Sequence, residues 1–177
     1  VRRAKVPILL IHGEDDRFVP CDMGREIAAA EEYCSGKGLR LVSVSIDPMQ
    51  HEEYRKNTRE RCYYCKLSIM SEVRKAADGL GLVNIIEGSN VDDEGDFRPG
   101  MRALKELGIR SPLKEAGLTK SEIRELSRNC GLPTWDKPSF ACLASRFVYG
   151  ETISKEKITM VDKAEQLLLD MGFRQVR

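Results

Sequence analysis

The 177-residue chain lacks long apolar runs and has almost no net charge, and both absences exclude classes of protein. No stretch approaches the ~20 apolar residues that a membrane-spanning helix needs. The net charge of +1 gives no overall attraction to nucleic acid or to an anionic membrane surface. We therefore expect neither nucleic acid nor a membrane as a partner.

The sequence also lacks the main signature of an α/β hydrolase. Residues 6–20 resemble the strand and acid loop of that family, with Asp16 in the place of the triad acid. However, no Gly-x-Ser-x-Gly nucleophile elbow occurs in the sequence. The later histidine, His51, lies in a polar segment with no nucleophile to serve. A hydrolase is thus indicated by Asp16 alone, and a strand followed by an acidic loop is the preferred interpretation.

The six cysteines occur without a signal peptide or a regular spacing, which fits a reducing, cytoplasmic compartment. Cys62 and Cys65 are three positions apart and project to the same side of a turn or helix. This spacing suits a shared metal, a cluster iron or a reversible disulfide, although simple apolar packing is the alternative. Basic neighbours such as Arg61 favour thiolates at this pair, and Arg146 does the same for Cys142.

Apolar, strand-like segments alternate with amphipathic, helix-like segments along the chain. This alternation predicts an α/β fold, with a parallel sheet and helices on its faces. We expect strands at 6–11, 40–46 and 83–86, and helices at 24–33, 66–77, 101–107, 119–130 and 153–171. Thr119 and Glu122 form a capping box at one helix start. The boundary at Ser111-Pro112-Leu113 separates an incomplete α/β domain (1–113, with 1–24 atypical) from a partial C-terminal α+β region (114–177). Both chain ends are expected to be cuts.

Paired carboxylates follow the third predicted strand. Asp92 and Asp93 come directly after a Gly-Ser-Asn segment at that strand's carboxyl end. Open α/β sheets bind ligands at this edge, where carboxylates can hold magnesium or a ribose. The alternative is an acidic loop that caps the next helix.

Five segments, in this order and at similar spacing, resemble the LarE family. They are Arg-Cys-Tyr-Tyr-Cys-Lys at 61–66, Glu-Gly-Ser-Asn-Val-Asp-Asp at 87–93, Arg-Pro-Gly at 98–100, Ser-Pro-Leu at 111–113 and Lys-Pro-Ser-Phe-Ala-Cys-Leu-Ala-Ser-Arg at 137–146. The resemblance extends from about residue 25 to residue 177, and five ordered motifs are far more specific than any single one.

The resemblance implies an ATP-dependent sulfur transferase with the fold of the N-type ATP pyrophosphatase (PP-loop) superfamily. Such enzymes adenylate a carboxylate of pyridinium biscarboxylate mononucleotide and replace it with a thiocarboxylate, for the nickel-pincer cofactor of lactate racemase. ATP and Mg²⁺ are the implied cofactors, a small nucleotide is the implied substrate, and a homo-oligomer is the implied assembly.

Two branches of this family differ in their sulfur source. In one, the cysteine matching Cys142 is consumed as the donor; in the other, three cysteines hold a four-iron four-sulfur cluster with one open iron that carries the sulfide. Cys62, Cys65 and Cys142 are all present, so the chain resembles the cluster branch. By resemblance, the sites near ATP and magnesium are Asn90, Asp93 and Arg98, and those near the substrate are Ser145, Arg146 and Arg177.

One departure from the family concerns phosphate binding. The Ser-Gly-Gly-x-Asp-Ser loop of the family is missing, since the sequence has no Gly-Gly pair. Such a loop supplies backbone N–H donors at a helix start, so we expect these 177 residues to adenylate poorly. Two alternatives stay open: another PP-loop activity (transfer RNA thiolation or an amidating synthetase), and a zinc-binding module of Cys62, Cys65, Cys142 and His51.

Overall fold

A computed structural model describes residues 8–11, 23–44, 46–94, 98–137, 141–173 and 176. The strands are β1 (Ile8–Ile11) and β2 (Leu41–Val44). The α-helices are α1 (Met23–Gly36), α2 (Glu52–Arg55), α3 (Arg61–Gly79), α4 (Gly100–Glu106), α5 (Pro112–Glu115), α6 (Lys120–Asn129) and α7 (Lys155–Asp170). Short 3₁₀ turns cover Pro48–Gln50, Val91–Asp93 and Leu143–Arg146.

The two strands pair in parallel, with Ile8 opposite Leu41 and Ile11 opposite Val44. The third predicted strand, over 83–86, does not form; Ile86 makes only a single parallel bridge to Arg110. Val83 and Ile86 are 80% and 61% exposed, so this apolar run has no neighbour among the described residues to complete a ladder. A wider parallel sheet with flanking helices stays a prediction.

The long helix α3 organises the packing of the chain. Met70, Val73 and Ala77 recur at helical spacing and are buried, which gives α3 one apolar face. Leu104 and Ile109, from α4 and the loop after it, pack against that face. This cluster holds α4 beside α3.

A second apolar cluster joins α3 to the C-terminal part of the chain. It consists of Met49, Tyr54, Leu143, Ala144, Ile153 and Ile158. The half-buried side chain of Cys65 on α3 packs against it. Because Leu143 and Ala144 belong to this cluster, the turn that follows Cys142 is anchored in the core.

The start of α3 corrects the sequence prediction. The helix begins at Arg61 rather than at Lys66, so Cys62 and Cys65 lie within its first turns. A three-residue spacing places two side chains on the same helix surface. The cysteine pair is therefore held by regular helix geometry and not by a loop.

The capping box at the start of α6 is confirmed. The Thr119 N–H donates to Glu122 Oε2 at 2.8 Å, and the Glu122 N–H donates to Thr119 Oγ1 at 3.3 Å. At the predicted domain boundary, Pro112 begins α5. The division into domains at residue 113 stays a prediction.

Gly100 lies at the closest approach between α4 and α3. A Cβ atom there would lie 3.3 Å from the Cys62 carbonyl oxygen and 3.4 Å from Lys66 Cβ. We expect Gly100→Val to lower the free energy of unfolding by about 1–3 kcal/mol, because branched methyl groups would overpack this contact. Denaturant unfolding measures the change. Gly88→Val is the matched control, since a Cβ at Gly88 meets no atom within 4 Å; equal losses in both variants would contradict the packing argument.

Candidate functional site

Cysteines from two distant parts of the chain lie on segments that pack against each other. Cys62 and Cys65 are on the first turns of α3, and Cys142 precedes the Leu143–Arg146 turn. Burial is the main cause that raises the pKa of the Cys65 thiol to about 12, and the charges of Cys142 and Cys62 contribute to the same rise. Cys65 also packs against the apolar cluster that contains Leu143, the residue after Cys142.

The pKa of Cys65 corrects one expectation from the sequence. Basic neighbours were expected to favour thiolates at the cysteine pair, and Lys66 and Arg61 do act to lower the pKa of Cys65. Desolvation outweighs them because Cys65 packs against the apolar cluster. Cys62 and Cys142, by contrast, are exposed. The site thus combines one thiol set in the core with two that solvent can reach.

Tyr54 is a site residue that the sequence pattern did not reveal. Its side chain is 2% exposed and packs in the same cluster as Leu143. Burial raises the pKa of its hydroxyl, with smaller effects from the charges of Cys142 and Cys65 and from a hydrogen bond with the Cys142 side chain. Its position in a strongly charged segment gave no signal of this role.

Arg61 is buried beside the thiols rather than exposed around them. Its Nη1 donates to Asn57 Oδ1 and, at 2.7 Å, to the Ala144 carbonyl oxygen. Its Nη2 lies 3.8 Å from Cys62 Sγ. Arg61 therefore contacts both the helix that carries Cys62 and the turn that follows Cys142.

Among the described residues, no group of three or more His, Cys, Asp or Glu side chains is placed to hold a metal ion. Cysteine thiolates are ligands of both zinc and iron–sulfur clusters, so the choice between these two centres stays a prediction.

His51 does not join the cysteines. Its Nε2 lies 2.6 Å from Ser68 Oγ on α3, so the residue has a hydroxyl partner that the sequence did not indicate. This contact gives no support to a zinc module that includes His51. Asp16, the residue that suggested a hydrolase, lies outside the described residues.

The residues predicted to lie near ATP are organised around a small turn. The Asn90 side chain accepts from the Asp92 N–H at 3.0 Å, and the Asn90 N–H donates to Asp93 Oδ2 at 2.9 Å. Arg98 pairs with Asp93 at 2.7 Å. Asp92 also accepts from the Lys120 N–H at 2.7 Å, at the first residue of α6. The carboxylate of Asp92 thus lies at the start of α6, whereas no side chain caps α4, the next helix that the alternative had named. A role of this turn in binding ATP or Mg²⁺ stays a prediction.

The residues predicted to lie near the substrate flank Cys142. Ser145 Oγ donates to the Cys142 carbonyl oxygen at 2.6 Å. The Arg146 guanidinium pairs with Glu165 on α7 and donates to the Val176 carbonyl oxygen at 2.9 Å. The guanidinium of Arg146 is therefore paired with the Glu165 carboxylate. The prediction that Arg146 favours the Cys142 thiolate gains no support from this arrangement. Arg177 lies outside the described residues.

An open cavity of about 600 Å³ lies beside the first half of α3. Its lining comes from Ile46–Asp47, Gln50–Glu53 and the side of α3 between Tyr64 and Glu72. Ile46 and Asp47 lie two and three positions after the end of β2.

Comparison with known proteins supports the resemblance drawn from the motifs. No family model matches the chain. The chain is similar to a pyridinium-3,5-bisthiocarboxylic acid mononucleotide synthase. That protein, from Lactiplantibacillus plantarum, is 30% identical over 170 residues, which cover 96% of this chain and 60% of the synthase.

Two uncharacterized proteins are also similar to the chain. One, from Synechocystis sp., is 40% identical over 158 residues, or 89% of this chain and 59% of the relative. The other, from Methanocaldococcus jannaschii, is 32% identical over 148 residues, or 82% and 54%. The chain therefore spans between 54% and 60% of the length of these curated relatives.

No helix in the described part of the chain combines the length and the apolar content needed to cross a bilayer.

Proposed function

We propose that this chain carries the sulfur-transfer part of an ATP-dependent sulfur transferase in nickel-pincer cofactor synthesis. In the overall reaction, a carboxylate oxygen of pyridinium biscarboxylate mononucleotide attacks the α-phosphate of ATP and releases pyrophosphate. Sulfide then attacks the activated carbonyl carbon and displaces AMP, which leaves a thiocarboxylate. The chain's similarity to a synthase named for the bisthiocarboxylic acid product supports this reaction.

The observation that carries the proposal is the packing of the turn after Cys142 against the part of α3 that bears Cys62 and Cys65. We propose that these three side chains hold a four-iron four-sulfur cluster. When bound, such a cluster supplies sulfide that can be replenished between turnovers. The exposed thiols of Cys62 and Cys142 keep this centre open to a substrate, while Cys65 ties it to the core.

The remaining parts of the site have supporting roles in the proposal. The cavity beyond β2 would hold the nucleotide portion of ATP or of the substrate. Asn90, Asp93 and Arg98, which form a structured loop, would contact ATP or Mg²⁺. Mg²⁺ would neutralise the phosphates during adenylation. Because these 177 residues contain no Gly-Gly phosphate loop, we expect their substrate-dependent exchange of pyrophosphate into ATP to be weak.

The test separates sulfur transfer from adenylation. The chain, reconstituted anaerobically with iron and sulfide, is mixed with chemically adenylated substrate, and mass spectrometry follows the replacement of one oxygen by one sulfur. We expect thiocarboxylate and AMP to appear together. Hydrolysis to the carboxylate alone, or stoichiometric zinc in place of iron, would sink the proposal and favour a zinc-binding module.

A further inference from the structure

The segment after Cys142 is fastened to the start of α3 through two buried side chains. Asn57 Nδ2 donates to the Val148 carbonyl oxygen at 2.8 Å, and the Gly150 N–H donates to the Asn57 carbonyl oxygen at 2.9 Å. Arg61 Nη1 donates to the Ala144 carbonyl oxygen at 2.7 Å. Residues 57 and 61 therefore hold the chain at three points between positions 144 and 150.

Asn57 is suited to this position by its backbone as well as its side chain. It is fully buried and has a φ of 50°, in the left-handed region. Asparagine enters this region more readily than most residues, and few other side chains could at once donate to one loop and accept from Arg61. Its Oδ1 accepts from Arg61 Nη1, which links the two residues into one unit.

Arg61 brings a buried positive charge to the same place. The residue is 5% exposed, and no carboxylate among the described residues lies within ion-pair distance of it. Its second nitrogen, Nη2, is 3.8 Å from Cys62 Sγ, and its guanidinium carbon lies 5.7 Å from the centre of the Tyr149 ring. The guanidinium of Arg61 thus lies between the Cys62 side chain and the Tyr149 ring while it holds the Ala144 carbonyl oxygen.

We propose that Asn57 and Arg61 form a latch that sets the position of Cys142 relative to Cys62, with Arg61 as a positioning residue. The latch joins the two chain segments that carry the thiols, and its charged end faces the sulfur of one of them. This inference rests on the proposed function, since a shared centre requires Cys62 and Cys142 to be kept at a fixed distance from each other.

The test uses the full 177-residue chain without iron, so that its readouts do not depend on activity. Hydrogen exchange at the Gly150 amide reports opening of the latch, and dibromobimane, which joins neighbouring thiols, reports a Cys62–Cys142 link by peptide mass spectrometry. In Arg61→Gln we expect about tenfold faster exchange and about tenfold less linking, the effect of losing one hydrogen bond from a charged group.

Arg55→Gln is the matched control. Arg55 donates to the Met49 carbonyl oxygen at 2.9 Å and does not reach the Cys142 segment through its side chain. The charge change is the same, and we expect both readouts to stay at the wild-type level. An equal loss in this control would overturn the latch by showing a general effect of charge or stability.

A second variant decides the matter if Arg61→Gln does not fold. Asn57→Asp keeps the acceptor for Arg61 and tolerates the left-handed backbone, but it removes the donor to Val148. We expect faster exchange at Gly150 and less linking, as for Arg61→Gln. Wild-type linking in a folded variant of either residue would overturn the latch alone. Absence of any Cys62–Cys142 link in the wild-type chain would overturn the proposed function together with the latch.

Discussion

Replacing Cys142 with serine should reduce thiocarboxylate formation by on the order of 100-fold or more, since changes to groups that only support metal ligands already cost 10–100-fold. Serine keeps the size of the side chain but removes the sulfur that would bind iron or donate itself. The assay is sulfur transfer to the adenylated substrate by the reconstituted chain. The proposal also predicts that the iron–sulfur absorption is diminished in this variant.

Two further cysteine variants show whether a loss of activity in Cys142→Ser is specific to the proposed cluster ligands. Cys130→Ser is the matched control, because Cys130 is exposed at the end of α6 and does not raise the pKa of Cys65; its activity should be unchanged. Cys62→Ser should lose activity and absorption as Cys142→Ser does. A single round of transfer by Cys62→Ser, with one Cys142 sulfur lost for each thiocarboxylate formed, would instead indicate the sacrificial-donor branch.

Leu143→Ala should lower the free energy of unfolding by about 2–5 kcal/mol, which is a large share of a typical domain's stability. Leu143 is fully buried where the turn after Cys142 meets Tyr54, Ile153 and Ile158. Truncation leaves a cavity in this cluster, and the turn that positions Cys142 loses its anchor. Urea unfolding measures the change.

Leu167→Ala provides the comparison for this prediction. Leu167 lies on α7 and is 62% exposed, so its truncation should change the free energy of unfolding by no more than about 0.5 kcal/mol. A loss in Leu143→Ala as small as that of Leu167→Ala would mean that the Cys142 turn does not rest on the core as the structure indicates.

Local features of the fold could be predicted from the sequence because their causes are local. The capping box of Thr119 and Glu122 depends on side chains three positions apart. The shared surface of Cys62 and Cys65 likewise follows from helix geometry once a helix is recognised. The strand predicted at 83–86 does not form, because an apolar run becomes a strand only where it pairs with another extended segment. Among the described residues, its one pairing is the bridge between Ile86 and Arg110.

The supporting residues of the site could not be predicted, because their roles arise from contacts between distant segments. The sequence predicts that Arg61 is an exposed charge beside a cysteine. In the structure the segment around Ala144 packs against α3 and buries Arg61. Tyr54 gains its place near Cys142 through the same packing. Arg146 was assigned to the substrate from its motif, while the docking of α7 supplies it with Glu165.

X-ray absorption at the iron edge of the anaerobically reconstituted chain tests the central claim most directly. The claim that Cys62, Cys65 and Cys142 share one cluster predicts sulfur ligation of the iron together with a short iron–iron distance, and both should be diminished in each of the three serine variants. Iron bound only by nitrogen and oxygen, or a zinc ion with isolated sulfur ligands in its place, would contradict it.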